Sequence, residues 1–277
     1  MRAIRAEVQL DLRSGMLVAM AKLEILHRDD GAPQARYAAG HDAEGVVESR
    51  RLQPPGYSLW VCTSELQTDG EILWRGDRAE EAVYVQSGSI EIDGRECPIG
   101  GAVILESGVH ARMRALRPTE LVHFGPRDLD VPSGGEYGPP SPEGHGVHVV
   151  GPGGRFCSGS REASFARWYA DSTCATCRLC LIQVERTSPR LGPGHHHSED
   201  EIIFVIGGAV GLGDRWLEAG SALFISRDAR YRIRTGEAGY RFLNYRRDLS
   251  YQVYDPDEPP QIESALARGG REVGDLR

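Results

Sequence analysis

No stretch of this 277-residue chain approaches eighteen unbroken apolar residues, so no membrane-spanning helix is readable. Basic residues do not dominate either. Thirty-two Lys and Arg against 40 Asp and Glu leave a formal charge of −8, which argues against a broad face for nucleic acid or anionic membrane. A helix-turn-helix pattern is missing, and amphipathic helical periodicity is weak throughout. The opening Met1-Arg2-Ala3-Ile4-Arg5-Ala6-Glu7 lacks the pattern of a secretory signal, which makes cytoplasmic residence the expectation. Cysteines number 6 and read as reduced thiols rather than a disulfide framework. Cys174 and Cys177 have the spacing of a metal knuckle, yet no second such pair or well-spaced His pair follows. Core-lining or incidental thiols are therefore expected. What remains is a protein that acts on a small molecule, with a homodimer left open.

What the chain does have is an internal repeat. Shifted by 120 residues, Glu81 falls on Glu201, Val85 on Val205, Gly88 on Gly208, Arg95 on Arg215, Gly100 on Gly220 and Ala102 on Ala222. The period is too long for a solenoid, so it marks a duplicated domain. Each copy reads as short strands rich in Val, Ile, Leu, Tyr and Phe, separated by Gly, Pro, Asp and Asn signals. Asp93-Gly94 and its counterpart Gly213-Asp214 both tolerate positive φ and predict tight hairpins. The fold class expected is all-β, two tandem antiparallel barrels of the jelly-roll kind. Between the copies, residues 132–154 hold 5 Pro and 8 Gly, the composition of a linker. His145 and His148 lie there, in a setting that predicts a surface or hinge role rather than ligation.

The chemistry concentrates in the second copy, in Gly194-His195-His196-His197-Ser198-Glu199-Asp200-Glu201. Residues two apart on a strand point the same way, so His195 and His197 share a face and Glu201 keeps that parity. Two imidazoles and a carboxylate make a ligand set that iron(II), manganese, nickel or zinc accepts, with open positions left over. The charged run then stops abruptly at Ile202-Ile203-Phe204-Val205-Ile206, an apolar strand buried on both sides, and a carboxylate at its mouth needs a partner.

These residues resemble the first motif of the cupin superfamily, and the whole chain resembles a bicupin. The resemblance implies that His195, His197 and Glu201 hold the metal, with Gly208 as the motif glycine. In the second motif, Leu217 to Ile225 resembles the usual opening, but Ser226 stands at the Pro position and Tyr231 where a further His ligand is expected. Either Tyr231 points inward and meets the metal or substrate, or it fills the barrel mouth. Alternation with Arg232 and Arg234 predicts that it points inward. The same columns of the first copy hold Arg75, Asp77, Glu81 and Ala111, so that site reads as having lost its metal. Arg75 could pair with Asp77 or Glu81, and His110 should face away. The expected organisation is an N-terminal packing segment at 1–49, a degenerate cupin at 50–130, a linker at 131–170, a metal-bearing cupin at 171–250 and a tail at 251–277.

The function expected from this set is that of a mononuclear metal enzyme of the dioxygenase kind, an oxidoreductase using iron(II) at His195, His197 and Glu201. A redox-neutral lyase or isomerase with Tyr231 as acid or base is the second expectation, and a non-catalytic ligand-binding or sensor bicupin the third.

Overall fold

The structure is a computed structural model that describes residues 22–126, 146–160, 164–173 and 177–254, with 257, 259–262, 264, 265, 267 and 271–273 of the tail. His145 and Cys174 lie outside the described residues. The protein is all-β. Two nine-stranded antiparallel sheets carry the two copies, and a small three-stranded sheet joins His196–His197, Tyr251–Val253 and Gln261–Ile262. Among the described residues the only helix is a 3-10 turn at Arg28–Asp30. None is long and apolar enough to cross a membrane.

Why the repeated strands read as unbroken apolar runs is explained by a core shared between the two sheets in addition to the core of each. In the strand Glu81–Ser87, Val83 and Val85 face a core enclosed by the first sheet, while Ala82 and Tyr84 face a core shared by both sheets. In Glu201–Leu212, Ile203 and Val205 face the interior of the second sheet, and Ile202 and Phe204 the shared core. Side chains alternate faces, and here both faces are covered, so no position calls for a polar residue. Glu81 and Glu201 have odd parity and therefore point into their own barrels. The shared core is closed by Phe124 stacked on Tyr245 at 5.3 Å, and by the Tyr169 hydroxyl donating to the Gly100 carbonyl at 2.7 Å.

Register follows the repeat. Glu81 sits opposite Leu105 in the strand Ala102–Leu105, and Glu201 opposite Ile225 in Ala222–Ile225. Each of those partner strands is edged by a segment from outside its own hairpin region. Leu23–Leu26 pairs with Ala222–Ile225, and Val147–Val150 pairs with Ala102–Leu105. This reciprocal exchange places His148 in a strand rather than in an unpatterned linker.

The two hairpins differ in detail. Asp93 and Gly94 both adopt positive φ, 51° and 71°, whereas in the second copy Gly213 does so at 60° and Asp214 does not. Gly208 has φ of 66° beside a register shift, and a Cβ there would meet the Gly239 carbonyl oxygen at 2.2 Å. The repeated glycine is thus required by a bulge.

Candidate metal centre

The second barrel brings His195, His197, Glu201 and Tyr231 to one end of its interior. His195 is held by an isolated bridge to Tyr231, and His197 by pairing with Gln252. The His195 and His197 rings meet edge to face at 5.0 Å, and the Tyr231 ring packs 4.5 Å from His195. His195 Nδ1 donates to the Pro193 carbonyl at 3.1 Å, which leaves Nε2 as the acceptor nitrogen, and the Tyr231 hydroxyl donates to it at 3.1 Å. His197 directs Nε2 toward Glu201 Oε1 at 3.7 Å, with Ser250 Oγ 3.5 Å from its Nδ1.

Glu201 is completely buried. Burial alone raises its carboxyl pKa, but His197, the Arg246 guanidinium, the Asn244 amide and the Tyr231 hydroxyl outweigh that and hold it below the usual carboxylate range. Arg246 Nε and Nη2 donate to Oε2 at 3.2 and 3.1 Å, and Asn244 Nδ2 donates to the same oxygen at 2.8 Å. Oε1 receives no donor in hydrogen-bonding geometry. The donor types suit a divalent cation, with one buried carboxylate oxygen lacking a donor and the His195 nitrogen that meets Tyr231 turned to the same end of the barrel, but the ligand atoms of His195, His197 and Glu201 are not gathered within the 4.8 Å that groups the histidines and carboxylate of the first barrel. The site opens into a cavity of 420 Å³ lined by His195, His197, Tyr231, Asn244, Arg246 and Tyr254 among others, within the size range of small-ligand sites. Arg246 and Asn244 carried no motif signal. The only cue was that Asn244 interrupts an apolar strand, since their role depends on the pairing of Glu201 with Arg246 across the sheet.

The first barrel differs from the expectation drawn from its columns. Arg75 pairs with Asp42 at the surface, not with Asp77 or Glu81, whereas His110 is exposed, in keeping with its expected outward orientation. Glu81 is nevertheless met by two histidines from outside the motif, His41 and His123, and the three ligand atoms lie within 4.8 Å of one another. His41 Nε2 is 2.8 Å and His123 Nε2 3.2 Å from Glu81 Oε2, and Trp74 Nε1 donates to that oxygen at 2.7 Å. Burial raises the Glu81 carboxyl pKa, but the two histidines drive it well below the usual range. Burial also lowers the His123 pKa, against the pull of Glu81. Burial keeps the Tyr37 hydroxyl protonated, and it lies 2.8 Å from His123 Nδ1. One assignment satisfies every contact: Tyr37 O–H to Nδ1, and N–H donors from His123, His41 and Trp74 to Glu81. The ring nitrogens that face Glu81 then carry protons rather than lone pairs. Both barrels therefore hold a His and Glu cluster, and sequence columns could not reveal the first because His41 and His123 lie 40 and 42 residues from Glu81.

No protein-family model matches the chain, and no curated protein matches it in sequence. Solved structures of oxalate decarboxylase, some of them of the Bacillus subtilis protein, do match in fold. One, concerned with its Mn(II) centres, is 13% identical with a TM-score of 0.61, over 81% of this chain and 77% of that one. A second, concerned with substrate binding and a switch of reaction specificity, is 14% identical with a TM-score of 0.61 over the same shares. A third, concerned with proton-coupled electron transfer, is 14% identical with a TM-score of 0.58. These likenesses correct the expectation of a dioxygenase-like oxidoreductase, because the structures that resemble the chain are of a decarboxylase. The physical reason is that two imidazoles and a carboxylate serve Lewis-acid chemistry as well as oxygen activation, so the donor set does not choose between them. The chain has the bicupin fold, two cupin barrels in tandem, and shares it with a decarboxylase over four fifths of its length.

Proposed function

We propose that the second barrel is the working site of a metal-dependent, redox-neutral enzyme acting on the anion of a small organic acid. The observation that carries this reading is the 420 Å³ cavity in which His195, His197 and Tyr231 meet Arg246 and Asn244. In this reading His195, His197 and Glu201 hold one divalent ion, with Mn(II) placed first by analogy and iron(II), nickel and zinc as other ions such donors accept. When bound, the ion supplies Lewis acidity toward a carboxylate oxygen. Arg246 keeps Glu201 ionised and adds positive charge to the cavity wall, which favours an anionic substrate. Tyr231, whose hydroxyl is hydrogen-bonded to His195 Nε2, is the group placed to give or take a proton at the reacting atom. The first barrel's cluster, enclosed and satisfied by its own protons, acts in this reading as structural support.

The test is elemental analysis of untagged protein beside His195→Ala/His197→Ala and His41→Ala/His123→Ala. The first double variant is expected to hold one equivalent of metal less than the parent, and the second as much as the parent. The Mn(II)-loaded protein is then screened against small mono- and dicarboxylates for carbon dioxide release or isomerisation. Turnover without net oxygen consumption is expected. Metal retained in the first variant and lost in the second would move the site to the first barrel, and stoichiometric oxygen uptake would overturn the redox-neutral reading.

A further inference from the structure

Away from both barrel interiors, Glu106, His148 and Cys177 come together from three separate parts of the chain. Their ligand atoms lie within 4.8 Å of one another. Glu106 follows the strand Ala102–Leu105 of the first barrel, and His148 lies on the exchanged strand Val147–Val150. Cys177 precedes the strand Cys180–Arg186 of the second barrel. Glu106 is 2% exposed and Cys177 5%, while His148 is half-exposed. His148 Nε2 is 2.7 Å from Glu106 Oε1, and the Gly146 N–H donates to Oε2 at 2.8 Å, which fixes the plane of the carboxylate. His148 and Cys177 also line a cavity of 1110 Å³ that opens between the barrels beside Arg155 and Tyr169.

We propose that Glu106, His148 and Cys177 form a binding site for a zinc-class divalent ion that ties the exchanged strand to both barrels. A thiolate, an imidazole and a carboxylate are a zinc donor set, and three protein ligands leave a fourth position for water. The adjoining cavity supplies both the route of entry and room for that water. An ion here takes the place of the proton that His148 shares with Glu106, and the Gly146 contact keeps the carboxylate oriented for it. The thiol discriminates this site from the two barrel clusters, whose donors are nitrogen and oxygen only. It selects softer ions than a site meant for Mn(II).

Cobalt(II) titration tests the assignment independently of any activity, because thiolate ligation produces a charge-transfer band in the near ultraviolet. Wild-type protein is expected to show the band, with the intensity of a single thiolate ligand at saturation, and to lose it on addition of zinc. It should be abolished in Cys177→Ser, weakened about tenfold or more in apparent affinity in His148→Gln, and unchanged in His195→Ala/His197→Ala. Circular dichroism establishes that each variant is folded, and the solvent-accessible His148→Gln keeps the test sound if Cys177→Ser is unstable. No band in the wild type, or a band that survives Cys177→Ser, would overturn the proposal. So would a band lost only in the His195→Ala/His197→Ala variant.

Discussion

Arg246 places Nε and Nη2 on a single oxygen of Glu201, at 3.2 and 3.1 Å, and leaves the other oxygen to face His197. Both side chains are essentially inaccessible to water. Arg246→Ala should therefore leave a buried carboxylate without its one fixed cation, with His197, Asn244 and Tyr231 alone to favour its charge, and cost about 3 kcal/mol in denaturant unfolding. Arg246→Met paired with Glu201→Gln should recover most of that loss, since it removes both charges. A cost below about 1 kcal/mol for Arg246→Ala would mean that the guanidinium does not sustain Glu201.

Tyr231→Phe keeps the ring against His195 and removes the hydroxyl that lies 3.1 Å from Nε2. Metal content and the thermal midpoint should change little. With a substrate found by the carboxylate screen, kcat should fall about a hundredfold with KM nearly unchanged, the signature of a lost proton-transfer group. An unaltered kcat would reduce Tyr231 to a residue that fills the barrel mouth.

Glu80 has both carboxylate oxygens buried, and no side chain donates a hydrogen bond to them. Burial raises its pKa, against the pull of its own backbone amide and of Arg247. A raised carboxyl pKa means that the folded state prefers the proton. Glu80 thus destabilises the fold once pH rises above the unfolded value of about 4.3, and not below it. Glu80→Gln should raise the unfolding midpoint at about pH 7 and leave it nearly unchanged at about pH 4. A lowered midpoint at neutral pH would show that the charge is used by Arg247 rather than tolerated.

Phe124 is fully buried in the shared core, stacked on Tyr245 and edge-on to Phe204. Phe124→Ala should cost about 3–5 kcal/mol. Because its neighbours belong to the other barrel, amide protection should fall in both barrels together, as hydrogen exchange would reveal. Loss confined to the first barrel would indicate that the two fold as separate units.

The duplicated β fold was legible because period-2 patterning and turn chemistry are local, and a 120-residue repeat of them survives divergence. Tyr231 could be placed inward by parity alone. The cluster around Glu81 was not legible, because His41 and His123 reach it through strand pairing across tens of residues and match no motif column. The strand Val147–Val150 that carries His148 was not legible for the same reason. Its Gly- and Pro-rich surroundings resemble a linker, and only the hydrogen-bonded edge of Ala102–Leu105 makes its segment a strand.

Local chemistry in the sequence by itself determined the two-barrel architecture, the glycine at each bulge and the donor types gathered at His195, His197 and Glu201. Tertiary structure decided the rest: which histidines meet Glu81, which cation neutralises Glu201, and where Cys177 lies relative to Glu106 and His148. The reason is physical. A strand's own residues dictate its pleat and the face each side chain takes, whereas the partner that satisfies a buried charge is chosen by the register of strands distant in the chain.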